Sequence, residues 1–103
     1  MRALEIFMHG LPAGSLCHLD DKSYEFRYLD TYRGPAVSRT LPVAQGAFHF
    51  DQFPPFFDGL LPEGMQLDQL LRQRKIDQSD KMSQLAAVGG DLVGAVSTRD
   101  STP

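Results

Sequence analysis

The spacing of apolar residues changes midway along this chain, and that change limits the folds open to it. Leu4, Ile6 and Met8 alternate with polar or flanking residues, and Tyr24, Phe26 and Tyr28 alternate with Glu25 and Arg27. A period of two places these side chains on one face of a strand. Later the spacing becomes three and four, at Leu67, Leu70 and Leu71 and again at Met82, Leu85 and Ala86. That spacing draws a single stripe down a helix. Strands first and helices second predict an α+β fold. The expected architecture is an antiparallel sheet of about four or five strands, with two or three short helices packed on one side. The 103 residues suit one domain spanning 1–103, since domains commonly hold roughly 100–150 residues.

Finer boundaries follow from turn and cap chemistry. Residues 9–14, with Gly10, Pro12 and Gly14, read as a turn before a second strand at 15–19. Residues 20–23 form a polar turn before the third strand, and residues 36–39 are the expected fourth strand, stopped by Pro42. Asp51 is placed to cap a short helical turn whose first positions tolerate Pro54 and Pro55. Pro62 and Glu63 open a second helix, Ser79 caps a third, and Gly89 and Gly90 end it. A last strand is expected over 92–98, followed by a frayed tail at 101–103.

Charge and cysteine content exclude several classes. Ten basic residues against thirteen acidic ones give a formal net charge of −3. A weakly acidic domain is a poor unaided binder of nucleic acid. The single cysteine, Cys17, excludes an intramolecular disulfide and suits a reducing compartment. The longest apolar runs fall short of the about 7–15 residues of a secretory h-region and the about 20 of a membrane helix. A cytoplasmic protein with no membrane contact is expected.

The residues capable of chemistry do not assemble into a recognisable site. His9, His18, His49 and Cys17 match no compact metal-ligand spacing, and Cys17 and His18 would point to opposite faces of a strand. The glycine-rich stretch at 89–94 follows a helix, whereas a phosphate cradle precedes one and usually carries a lysine. Asp20 with Asp21, and Glu63 with Asp68, suit a turn and a helix N-terminus. Arg72, Arg74 and Lys75 complement the dipole at a helix C-terminus. No cofactor and no catalytic residue is expected.

The aromatic segment carries more information. Residues 48–61 contain Phe48, Phe50, Phe53, Phe56 and Phe57, five of the seven phenylalanines, with Leu60 and Leu61 following. A short, proline-interrupted segment cannot turn all these rings inward. The expectation is a mixed role, part core and part partner interface, because large exposed apolar patches mark binding surfaces. Met65, outside the leucine stripe, is either a flexible apolar plug for a partner or a staple on its own helix.

Four linked motifs bring a family into view. Phe56-Phe57-Asp58-Gly59-Leu60-Leu61-Pro62-Glu63-Gly64 resembles the FFDNLLPEG signature of HipA-type proteins, with Gly59 in place of the usual Asn. Gly89, Asp91, Gly94, Ala95 and Val96 are similar to the family's G.D..GAV motif. Ser38, Leu41 and Pro42 resemble S.SLP, with Arg39 and Thr40 between Ser38 and Leu41, and the opening from Leu4 to Leu16 is similar to its V.LNG..VG.L hairpin. The matches run in order over residues 4–96. The resemblance covers only the N-terminal subdomain of these serine/threonine kinase toxins. Their catalytic lysine, aspartates and phosphate loop lie downstream and have no counterpart here. The resemblance thus implies a non-enzymatic protein, similar to the HipS-type small component of bacterial three-part HipBST toxin–antitoxin systems. Its implied partners are a shortened HipT-like serine/threonine kinase, which it would inhibit as an antitoxin, and a HipB-like helix-turn-helix protein in a ternary complex. The residues expected at the partner surface are Phe56, Phe57, Leu60, Leu61, Pro62, Glu63, Gly64 and Met65. An activating or toxin-side subunit of a HipA-type kinase is the alternative, and a DNA-binding autoregulatory role within a larger complex is a third.

Overall fold

A computed structural model describes residues 1–92 and 94–102. Five strands, β1 (Arg2–Met8), β2 (Leu11–His18), β3 (Tyr24–Tyr28), β4 (Ala47–Phe50) and β5 (Val96–Asp100), form one sheet in the order β4-β3-β2-β1-β5. Every neighbouring pair is antiparallel. Three helices complete the fold: α1 (Pro55–Asp58), α2 (Gly64–Arg74) and α3 (Lys81–Val88). The α+β expectation holds, and its cause is visible in the register. Leu4 faces Leu16, Leu16 faces Phe26, and Phe26 faces Phe48, so the period-two residues of four strands make one apolar row. Phe57 from α1 and Met82 and Leu85 from α3 belong to the same buried cluster as that row. The ring of Phe57 lies 5.5 Å from that of Phe26. The other sheet face carries Glu5, Ser15, Glu25, Arg27 and Arg99, with Arg99 paired to Glu5 at 2.8 Å.

Several boundaries differ from the sequence reading. The first turn shrinks to His9 and Gly10, both with positive φ (51° and 79°). Two consecutive residues there suit the right-handed twist of a hairpin, and glycine adopts that backbone without penalty. β2 therefore starts at Leu11 rather than at 15. Pro12 is tolerated because β3 pairs with β2 only from Gly14 onward.

Residues 36–39 do not form a strand. The Val37 N–H, needed for a ladder, is donated to the Tyr28 hydroxyl at 3.0 Å. That hydroxyl in turn donates to the Leu41 carbonyl at 2.5 Å. Tyr28 thus pins the loop between β3 and β4, and Ala47–Phe50 takes the fourth-strand place. The alternation of Phe48, His49 and Phe50 was the signal for it.

Asp51 does not cap α1, which begins after Pro54 with Pro55 in its first turn and no side-chain cap. Ser79 does not cap α3. Asp80 does, accepting from the Ser83 N–H at 3.1 Å and the Ser83 hydroxyl at 2.7 Å. Ser79 instead serves Asp77, donating its N–H and hydroxyl to that carboxylate at 2.9 and 2.7 Å. The last strand starts at Val96 rather than 92, and Val93 lies outside the described residues. The tail is tied rather than frayed, since the Ser101 N–H reaches the Ala3 carbonyl at 3.0 Å. Pro103 lies outside the described residues.

Candidate partner-binding site

The signature segment crosses from core to surface within ten residues. Pro54 and Pro55 preset the backbone for a single helical turn. Four residues of helix point adjacent side chains in different directions, so Phe57 is fully buried while Phe56 stays half-exposed against its edge, 5.1 Å between ring centroids. Of the expected surface residues, Phe57 is therefore a core residue that supports the surface from beneath. Leu60, Leu61 and Pro62 are half-buried, and Glu63 and Gly64 are exposed. Met65 is 79% exposed. Its side chain is no staple on its own helix at that exposure.

Two hydrogen bonds, from the Leu60 N–H to the Phe57 carbonyl and from the Leu61 N–H to the Asp58 carbonyl (both 3.1 Å), hold the linker as a tight ridge after α1. Leu61 and Pro62 line grooves on both flanks of that ridge. One groove is closed by Leu67, Gln78 and Lys81, the other by Gln66, Val88 and Leu92. Asp58 forms an ion pair with Lys81 (2.5 Å), joining α1 to the first turn of α3. The Lys81 ammonium also sits 6.0 Å from the centre of the Phe53 ring. Lys81, Val88 and Leu92 have no motif of their own that marks them in sequence; only folding brings them beside the ridge. Gly59 has helical φ (−66°), and a Cβ there would make only near van der Waals contact with carbonyls of α1. The Asn of the family pattern therefore fits this backbone.

α2 completes the surface. Gly64 enters it with φ 58°, a conformation that costs most side-chain-bearing residues energy. Glu63 stands at the cap position without a side-chain cap bond, and none of the helix's eleven residues is buried. Leu67, Leu70 and Leu71 are half-covered, and Leu67 lines the groove beside Lys81. The molecular surface of 6514 Å² exceeds the about 5,800 Å² expected for a compact domain of this mass. An arm with one face uncovered is one source of such an excess.

The groups weighed as possible ligands are dispersed. His18 stacks on Tyr24 at 4.3 Å, and His49 faces Glu25 across the sheet. Among the described residues no group of three or more His, Cys, Asp or Glu side chains could hold a metal ion. Among the same residues no helix is long and apolar enough to cross a membrane. Burial raises the Tyr28 hydroxyl above its ordinary pKa, consistent with its position under the loop.

The chain matches the HipA N-terminal domain family over residues 4–99. It is 31% identical to an uncharacterized protein of Haemophilus influenzae, with 97% of this chain aligned to 93% of that one. It is also 31% identical to the proposed kinase Y4dM of Sinorhizobium fredii, but spans only 26% of that protein. The fold superposes on a solved N-terminal domain of HipA toxin with a TM-score of 0.78 and 26% identity, covering 98% of this chain and 93% of that one. It also superposes on a chain from the Shewanella oneidensis HipA, HipB and operator DNA complex with a TM-score of 0.81 and 25% identity, covering 95% of this chain and 24% of that one. The motif order along the chain, the sheet built from its alternating residues and these alignments agree: the chain belongs to the HipA N-terminal domain family, a toxin–antitoxin-related module that forms the non-catalytic subdomain of HipA toxins.

Proposed function

We propose that this chain is a HipS-type antitoxin component: it performs no reaction itself, binds a HipT-like serine/threonine kinase and restrains it. The observation that carries this reading is the uncovered arm. An eleven-residue helix with no buried residue, carrying the exposed Met65 and preceded by the Leu60–Leu61–Pro62 ridge, presents an outer face that a partner can cover. A standard interface needs about 800 Å² from each partner. The ridge, its two grooves and the outer face of α2 form a continuous patch on which such an interface can centre. Met65 is the flexible apolar plug of that patch. Binding there would hold the kinase away from the closed arrangement that phosphoryl transfer requires. A HipB-like helix-turn-helix protein would complete a ternary complex, a reading supported by the similarity to a chain solved with HipA, HipB and operator DNA. The acidic net charge favours a protein partner over direct DNA contact.

The test is to mix the purified chain with the HipA-type kinase of the same genome that lacks this domain, then follow complex formation, autophosphorylation and growth arrest. A stable complex with reduced kinase activity is expected. Leu61→Ala and Met65→Ala should each weaken it by about 1–4 kcal/mol, the range of residues at an interface centre. The Sinorhizobium fredii relative, whose matching part is about a quarter of a proposed kinase, favours a second reading in which the domain assists its kinase. Increased autophosphorylation or toxicity on adding the chain would establish that reading and defeat the first.

A further inference from the structure

The C-terminal end of α2 carries a charge pattern that burial does not explain. Arg72, Arg74 and Lys75 are all exposed. None of them lies within 4.0 Å of a carboxylate among the described residues. Three of the chain's ten basic residues fall within these four positions, so positive charge is concentrated here in a chain of net charge −3. The nearest acids in sequence do not neutralise it. Asp68 stands one turn before Arg72 without pairing to it, and the Asp77 carboxylate is occupied by the Ser79 N–H and hydroxyl. Lys75 adds a second observation. It ends the helix in left-handed backbone, φ 55°, ψ 48°, where glycine is favoured. A lysine at such a position carries its cation at some conformational cost. Complementation of the helix dipole accounts for positive charge in the last turn. It does not account for three cations without a counter-ion on an otherwise uncovered arm.

We propose that this end of α2 docks on a carboxylate-rich patch of the kinase, with Arg72, Arg74 and Lys75 steering the encounter while Met65 enters an apolar recess. The inference rests on the kinase-binding reading above and specifies the chemistry of the surface that binds. Met65 and Arg72 are seven residues, or two turns, apart on the same face of the helix, so the recess and the nearest cation of the patch lie about 10 Å apart along its axis, with Arg74 and Lys75 following at the helix end. A protein surface is favoured over nucleic acid because three cations on a chain of net charge −3 release too few counterions to hold a duplex. Charges at an interface rim act mainly on the rate of encounter and its salt dependence.

The test uses the whole chain and the kinase. Association and dissociation rates are measured at low and high salt for the natural chain, for Arg72→Glu/Arg74→Glu/Lys75→Glu and for the milder Arg72→Gln/Arg74→Gln/Lys75→Gln, with circular dichroism confirming the helix. The natural chain should associate more slowly as salt rises. The glutamate variant should associate about tenfold more slowly at low salt, with a flattened salt dependence and little change in dissociation. The glutamine variant should fall between. Association of both variants at the natural rate, with natural salt dependence, overturns the inference and leaves the docking reading standing. Failure of the natural chain to bind the kinase removes the docking reading and the inference with it. Retardation of operator DNA by the natural chain at physiological salt, lost in the variants, reassigns the cluster to phosphate and also overturns it.

Discussion

α2 and α3 are joined by a short turn, yet they are stabilised in opposite ways. The eight-residue α3 is the shorter, but it buries Met82, Gln84 and Leu85 and is capped by Asp80. Arg2 of β1 reaches into its first turn, bonding Ser83 and lying 3.6 Å from Asp80. The eleven-residue α2 has no buried residue and no side-chain cap, and rests on one half-covered leucine stripe. Isolated helices shorter than about 12–15 residues are marginal in water. α3 is thus held by the core, while α2 depends on a narrow contact and gains most from an added partner. The contrast separates residues that make the fold from residues that are available to act.

Substitutions on the two sides should differ accordingly. The largest expected effect is Phe57→Ala, which empties the centre of the core and should lower unfolding free energy by about 3–5 kcal/mol in chemical denaturation. Its neighbour Phe56→Ala should cost clearly less; equal losses would erase the distinction between the two rings. Tyr28→Phe comes next. It strands the Val37 N–H and the Leu41 carbonyl, and should cost about 1–3 kcal/mol. It should also remove stability lost at alkaline pH. Burial raises the Tyr28 pKa, so the folded state holds the proton longer, and the resulting stability is present below the ordinary value of 10.0 and lost as pH rises through the folded value.

Asp80→Ala, at the one side-chain cap of the pair, should cost about 0.5–2 kcal/mol, whereas Glu63→Ala at the start of α2 should be close to neutral. Met65→Ala should change stability by no more than about 0.5 kcal/mol while weakening kinase binding. Hydrogen exchange should show α2 amides opening before those of α3, and protection of α2 on kinase binding would sharpen the contrast. The smallest effect is expected at Asp77. The Ser79 N–H and hydroxyl hold its carboxylate below the ordinary value of 3.8, so its contribution is present above that value and lost as pH falls through the lowered one. Asp77→Asn should flatten the acid limb of an unfolding titration slightly and leave neutral pH little changed.

Much of this contrast was legible in the residues. The alternating runs at Leu4 to Met8 and Tyr24 to Tyr28 named β1 and β3, and the leucine stripe named α2, because period alone assigns a face. Where the reading failed, competing bonds explain why. Residues 36–39 have a plausible strand composition, but the Tyr28 hydroxyl takes the Val37 N–H. Ser79 and Asp80 are both good capping residues, and only the turn geometry around Asp77 decides between them. In the aromatic segment the sequence implied that some rings stay outside. It did not show which, since Phe56 and Phe57 are chemically alike and adjacent.

Taken alone, the order of residues determined the α+β class, the family resemblance and the presence of an apolar surplus around 48–61. These depend on local periodicity and composition, which every short window of chain displays. Tertiary structure alone decided that Phe57 is core and Met65 is surface, that Lys81 meets Asp58, and that Arg72, Arg74 and Lys75 have no counter-ion among the described residues. Burial and pairing are properties of segments distant in sequence that become neighbours only after the sheet and helices close around a common core.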